Sequence, residues 1–144
     1  MGGISTLGKT SLHTITGTPN SQKYQEILNS HKKEIKKLFG RKKWFFQQDG
    51  ATCHRAKKSI KFIKDNLTNH IIPHPPQSPD FNPIELTWAL MKRMVQARKP
   101  KTKRELEIAI YQSWEKIKIK FIRDCIKNLK KKFQKAIDKE GILL

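Results

Sequence analysis

Apolar residues recur at two different periods along this chain, and the changes of period mark out its elements. Leu12, Thr14 and Thr16 alternate with other residues after the Gly8-Lys9 turn, which predicts an edge hairpin or strand ending at Gly17. From Asn20 or Ser21 the period becomes helical: Tyr24, Ile27, Leu28, His31, Ile35 and Leu38 share one face, and Gly40 stops the helix. "KKWFFQQD" follows as a short aromatic strand. Ala56, Ile60, Ile63 and Leu67 predict another amphipathic helix, and "HIIP" a second short strand closed by proline. "PHPPQSPDFNP" carries five prolines in 11 residues and is a loop of stiff, extended backbone. Beyond it every stripe is helical: Ile84, Trp88, Met91 and Val95, then Leu106, Ile110 and Trp114, then Ile122, Ile126, Leu129, Phe133 and Ile137. Thr102 and Glu105 form a capping box that opens the middle one. The order predicts an α/β chain with a helical C-terminal layer, without internal repeat or linker.

A length of 144 residues suits one domain with a modest core. Charge changes the picture more than length does. Thirty-one Lys and Arg against 12 Asp and Glu leave a formal +19, which calls for a polyanionic partner. Nucleic acid comes first and an anionic membrane surface second. Because the lysines alternate with Ile, Leu, Phe and Trp, they decorate a folded body rather than a disordered tail. No apolar run approaches the roughly 20 residues of a membrane span, and with nucleic acid preferred no membrane partner is expected. Cys53 and Cys125 form no disulfide framework and suit a reducing compartment. With His54, His70 and His74 they also lack zinc-site spacing.

Two acids stand out. Asp49 closes the aromatic strand "WFFQQD", with Gly50 placed to turn the chain away. An acid there points into the crevice at the carboxyl ends of the strands, where open α/β sheets bind ligands. A turn or N-cap role explains the same Asp-Gly pair. Glu85 follows Asn82 and Pro83, a natural N-cap and first helical residue, so it is equally a capping-box partner of Asn82. If the proline loop folds back, the two carboxylates converge and suit Mg²⁺ or Mn²⁺. Metals of that kind activate an attacking oxygen and stabilise a leaving one at a phosphodiester. His54 lies close enough to Asp49 to support it or to touch DNA, and a turn role suits it as well. Asp80 in "SPDFNP" reads as a turn residue. Trp88 reads as core.

"FFQQDGATCHRAK" and "PPQSPDFNPIELTW" resemble the signatures of Tc1/mariner-type transposases, with 35 residues between Asp49 and Glu85. "GGISTLGKTSLHTITGTPNSQKYQEIL" resembles the family's preceding segment. The resemblance implies an RNase H-like fold, truncated here, with a short mixed sheet and a helical C-terminal layer. It implies a single partial catalytic domain over 1–144, with core motifs in 1–95 and a helical extension in 96–144. It also implies metal-dependent cleavage and joining of DNA strands in the nucleus, Asp49 and Glu85 as catalytic metal ligands, and two Mg²⁺ or Mn²⁺ ions. Transposon-end and target DNA would be the partners, with a homodimer in the full-length family. Lys99, Lys101, Lys103 and Arg104 of "KPKTKR" would contact DNA phosphates, although a solvated helix face explains them too. The family's first catalytic Asp lies upstream of "GGIS". The chain is therefore expected to be a C-terminal piece, silent by itself unless that acid comes from elsewhere. The competing expectation is an inactive, basic DNA-binding remnant of a transposable element.

Overall fold

Asn20 starts the first helix, α1 (Ser21–Phe39), by accepting a hydrogen bond from Lys23 N at 2.9 Å. Gly40 ends it at φ 56°, a left-handed conformation that glycine adopts without strain. A computed structural model of the chain describes residues 1–68, 70–72 and 82–138, apart from the side chains of Lys130, Phe133, Ala136 and Ile137. The proline-rich stretch from Pro73 to Phe81, with His74 and Asp80, lies outside the described residues, as do the Phe133 and Ile137 ends of the last stripe. After α1 come β1 (Phe46–Gln47), α2 (Thr52–Arg55), α3 (Lys57–Asn66), β2 (Ile71–Ile72), α4 (Pro83–Ala97), α5 (Lys103–Lys116) and α6 (Ile119–Asp138). They fall into two compact units: Met1–Gly3 with Leu7–Ser78, and Ile4–Thr6 with Pro79–Leu144.

In the first unit β1 and β2 pair in parallel, Phe46 opposite Ile71 and Gln47 opposite Ile72. A parallel pair needs a crossover, and α2 and α3 supply it. Among the described residues no antiparallel strand joins this ladder, so only the parallel part of the expected mixed sheet is seen. Tyr24 and Leu28 of α1 meet Ile63 of α3 in the core, and Phe46, Cys53, Phe62, Leu67 and Ile71 pack against them. The α1 stripe is as the sequence implied: Tyr24, Leu28, His31 and Ile35 are buried.

Two expectations for this unit need correction. The strand at "KKWFFQQD" is only Phe46–Gln47. Ahead of it Trp44 stacks on Phe39 at 4.7 Å, and beyond it the Gln48 side chain bonds to other elements. The alternating segment at Leu12–Gly17 forms no strand. It is tied to α1 in part by side chains: Lys23 Nζ donates to Thr16 O at 2.8 Å, and just ahead of it Ser11 N and Oγ donate to the Glu34 carboxylate, each at 2.6 Å. Among the described residues, backbone pairing here is confined to the start of the chain, with Thr10 N donating to Gly3 O at 2.9 Å and His13 N to Met1 O at 2.7 Å.

In the second unit α4 packs on α5 and α6. Trp114 and Ile122 are fully buried, with Val95, Ala109, Ile117 and Cys125 nearly so. Trp88 is half-buried and stacks on Trp114 with ring centroids 5.2 Å apart, close to the core role read from the sequence. The α5 stripe is rotated from the expected one. Small Ala109 and Ser113 face inward with Trp114, leaving Leu106 41% exposed on the outer side with Ile108 and Tyr111. Thr102 Oγ1 accepts from Glu105 N at 3.1 Å, but Glu105 Oε2 reaches back to Lys101 N at 2.7 Å rather than to Thr102. Arg123 Nε donates to Thr6 O at 2.8 Å, which ties Ile4–Thr6 to this unit.

Removing the fully buried Ile63 side chain as Ile63→Ala is expected to cost about 2–5 kcal/mol, read by denaturant unfolding. A second expectation concerns His31, which is 2% exposed. Burial, then the neighbouring His13, pushes its imidazole below the usual 6.5, with Glu34 and a Ser11 backbone bond opposing and the Met1 amine adding a small lowering. The unfolded chain therefore takes up this proton first. The stability from a neutral His31 is fully present above pH 6.5 and declines as pH falls below it. Unfolding at pH 7.5 and 5.5 is expected to show a larger loss in the native chain than in His31→Asn.

Candidate active site

Asp49 lies just beyond the carboxyl end of β1, where the chain leaves the ladder. Its Oδ1 accepts from Ala51 N at 3.0 Å, which closes a side-chain turn over Gly50. The same oxygen is 2.5 Å from His54 Nδ1. A carboxylate has no proton to give at neutral pH, so Nδ1 carries the hydrogen of this bond. The turn reading of Asp49 is thus seen, and a histidine contact is added to it. The N-cap of α2 is Ala51, not Asp49. Gly50 is not what the turn depends on: its φ lies outside the left-handed region, and a Cβ there would meet nothing within 4 Å.

His54 is itself held from two sides. Its ring lies against Tyr24 with centroids 4.2 Å apart at 37°. Its carbonyl accepts from Gln48 Nε2 at 3.0 Å, and Gln48 Oε1 accepts from the Tyr24 hydroxyl at 2.5 Å. Burial, and then the nearby Cys53 and Asp49, push the Tyr24 phenol well above its usual range, so it remains a donor. Ser59 Oγ donates to Cys53 O at 2.6 Å and fixes the end of α2 against α3. The side chain of Asp49 is 48% exposed and that of His54 is 19% exposed. An anchored carboxylate with an open flank suits a hard cation, because outer hydrogen bonds orient the ligand.

Glu85 lies in the second unit, in the first turn of α4, and is exposed. Asn82 caps that helix by accepting from Ile84 N at 3.3 Å, with Pro83 in the first turn. Glu85 N bonds to the Asn82 carbonyl at 3.2 Å. Among the described residues the Glu85 carboxylate does not return a capping-box bond to Asn82. Lys99, Lys101, Lys103 and Arg104 are exposed around the α4–α5 turn. Lys99 adopts φ 48°, unusual outside glycine, and the Arg98 guanidinium donates to Gln112 of α5. Among the described residues no three His, Cys, Asp or Glu side chains gather as a metal-holding group.

A sequence model of the family described as DDE superfamily endonuclease matches residues 1–107. The chain belongs to this family. It is 27% identical over 135 residues to the Tc3 transposase of Caenorhabditis elegans, covering 92% of this chain and 41% of that protein. Against the Tcb1 transposase of Caenorhabditis briggsae it is 23% identical over 130 residues, covering 90% and 47%. The chain therefore spans less than half the length of these relatives. Its fold matches the catalytic domain of the Mos1 mariner transposase solved with raltegravir and Mg, at a TM-score of 0.79 and 17% identity over 98% of this chain and 74% of that one. A further structure of the Mos1 catalytic domain matches at 0.75 and 18% identity, covering 96% and 71%. This DDE-superfamily chain is thus of the Tc1/mariner transposase type, with the RNase H-like fold that the sequence motifs implied.

The sequence singled out Asp49 and Glu85 through their motifs. It missed Tyr24 and Gln48 as supports of the site. Tyr24 sits in an ordinary helical stripe, so only its burial beside His54 shows a second use.

Proposed function

We propose that this chain is catalytic-domain sequence of a transposase whose protein cuts and joins DNA strands with a divalent metal, and that Asp49 and Glu85 are its metal-holding carboxylates. The observation that carries the reading is Asp49: a half-exposed acid at the end of a parallel strand, anchored through Oδ1 by Ala51 N and His54. Family membership supplies the reaction class, and Glu85 supplies an exposed acid at the motif-matched position.

The donor set fits Mg²⁺ or Mn²⁺. Both acids offer hard oxygen, and Mg²⁺ is commonly held by one or two carboxylates, with waters and substrate phosphates completing the shell. When bound, such an ion supplies Lewis acidity at a phosphodiester oxygen. Asp49 and Glu85 would orient that charge, and the bond from His54 limits rotation of the Asp49 carboxylate. The strand substrate would be drawn in by the +19 surface. Lys103 and Arg104 lie in the first turn of α5, where the helix dipole disfavours cations. Exposed Lys99 and Lys101 stand beside them, and such a cluster suits phosphate contacts. A nuclear location follows from a chromosomal DNA substrate. The second reading is a basic DNA-binding remnant without turnover, in which the +19 surface alone acts.

Calorimetric titration of Mn²⁺ into the chain is expected to show binding that Asp49→Ala and Glu85→Ala each abolish or weaken at least tenfold. Equal binding in all three proteins would reject the metal reading and leave the remnant. Separately, replacing Lys99, Lys101, Lys103 and Arg104 together by Ala is expected to lower the salt slope of duplex binding by about 3 to 4, at roughly 0.9 per phosphate contact. An unchanged slope would place the DNA contacts elsewhere.

A further inference from the structure

His54, Gln48 and Tyr24 form a closed ring that ends on Asp49: the His54 carbonyl to Gln48 Nε2, Gln48 Oε1 to the Tyr24 hydroxyl, the Tyr24 ring back onto the His54 ring, and His54 Nδ1 out to Asp49 Oδ1. We propose that His54, clamped by Tyr24 and Gln48, is the positioning residue that fixes the orientation of the Asp49 carboxylate for metal binding. This role rests on the metal reading of Asp49 given above.

Three observations carry it. First, the His54–Asp49 bond is short, 2.5 Å, and is made by a side chain that is mostly buried, with 19% exposed. Water competes poorly for such a bond, so it persists where an exposed surface pair would not. Second, the imidazole has little freedom to turn. Its face is covered by Tyr24, which is 4% exposed and belongs to the core with Leu28 and Ile63. Its backbone is held by an amide whose own orientation is fixed: Gln48 accepts from Tyr24 through oxygen and donates to His54 through nitrogen. Third, the bond leaves from Nδ1, which sets the tautomer. The proton must sit on Nδ1, because the carboxylate cannot donate. An Asp free to rotate about two side-chain torsions would spread its oxygens over several positions. Anchoring Oδ1 at both Ala51 N and His54 removes most of that spread before any ion arrives. Tyr24 therefore couples the packing of α1 to the aim of the acid.

The geometry also dictates which replacements should work. An Asn amide nitrogen falls near the Nδ1 position of histidine, whereas a Gln amide nitrogen falls near Nε2. His54→Asn should therefore keep the bond and His54→Gln should lose it, although both remove the ring from Tyr24. Mn²⁺ affinity of the whole chain, measured by calorimetry, is expected to fall roughly tenfold or more in His54→Ala and His54→Gln, and to stay within about threefold of native in His54→Asn. Thermal unfolding of the same variants separates this pattern from a packing role, which would lower stability in Asn and Gln variants alike and leave their affinities equal. A second readout needs no metal: nitrogen NMR of the imidazole should show hydrogen on Nδ1 in the native chain and lose that preference in Asp49→Ala.

Affinity lost in Asp49→Ala but unchanged in His54→Ala, or equal in the Asn and Gln variants, would overturn the positioning role while leaving Asp49 as a ligand. So would an imidazole with its hydrogen on Nε2. Mn²⁺ binding unaffected by Asp49→Ala would overturn the metal reading itself, and with it this role.

Discussion

The Tyr24 side chain is the contact on which the first unit and its site both depend. Its ring is core, packed with Leu28 and Ile63 where α1 meets α3. Its hydroxyl, 2.5 Å from Gln48, and its face, 4.2 Å from His54, carry that core outward to Asp49. Removing that hydroxyl would leave Gln48 Oε1 without its donor, a cost of about 1–3 kcal/mol. Its placement in turn depends on the helical register of α1, which the Asn20 cap and the Gly40 stop fix at either end. A slip of that register would displace the ring from His54 and disturb the anchoring of the acid.

Much of this was legible in the sequence, and the exceptions have physical causes. The start and stop of α1 could be read because Asn20 and Gly40 act locally and the stripe between them keeps one period. Asn82 and Pro83 announced α4 for the same reason. "HIIP" matched the strand at Ile71–Ile72, but of the two earlier strand readings one was too long and the other formed no strand. Two-residue ladders are set by where a neighbouring strand runs, which no local pattern reveals, and the "WFFQQ" run gives its last residue to side-chain bonding. Leu106 was misassigned because the Trp88–Trp114 stack and small Ala109 and Ser113 decide the rotation of α5. The dense motifs around Asp49 and Glu85 made the acids legible through resemblance. The histidine bond, by contrast, needed coordinates, since five residues of spacing allow many geometries.

Charge and site make different demands on this chain. On the proposed reading, a +19 surface would serve association with a polyanion through many weak, salt-sensitive contacts. A metal site needs a few carboxylates held still against that positive field. Anchoring Asp49 from one side by a backbone N–H and a histidine while leaving its flank open meets that need. Glu85 is placed differently, on the first turn of a helix whose dipole stabilises an acid there.

The proposed metal role of Asp49 stands or falls on whether a divalent ion binds at the carboxylate anchored by Ala51 N and His54. Titrating substoichiometric Mn²⁺ into isotope-labelled chain, and following paramagnetic broadening of backbone amides, tests it most directly. Amides around 49–54 are expected to broaden first, and Asp49→Ala to abolish that broadening. No broadening at 49–54, or broadening that survives Asp49→Ala, would contradict it.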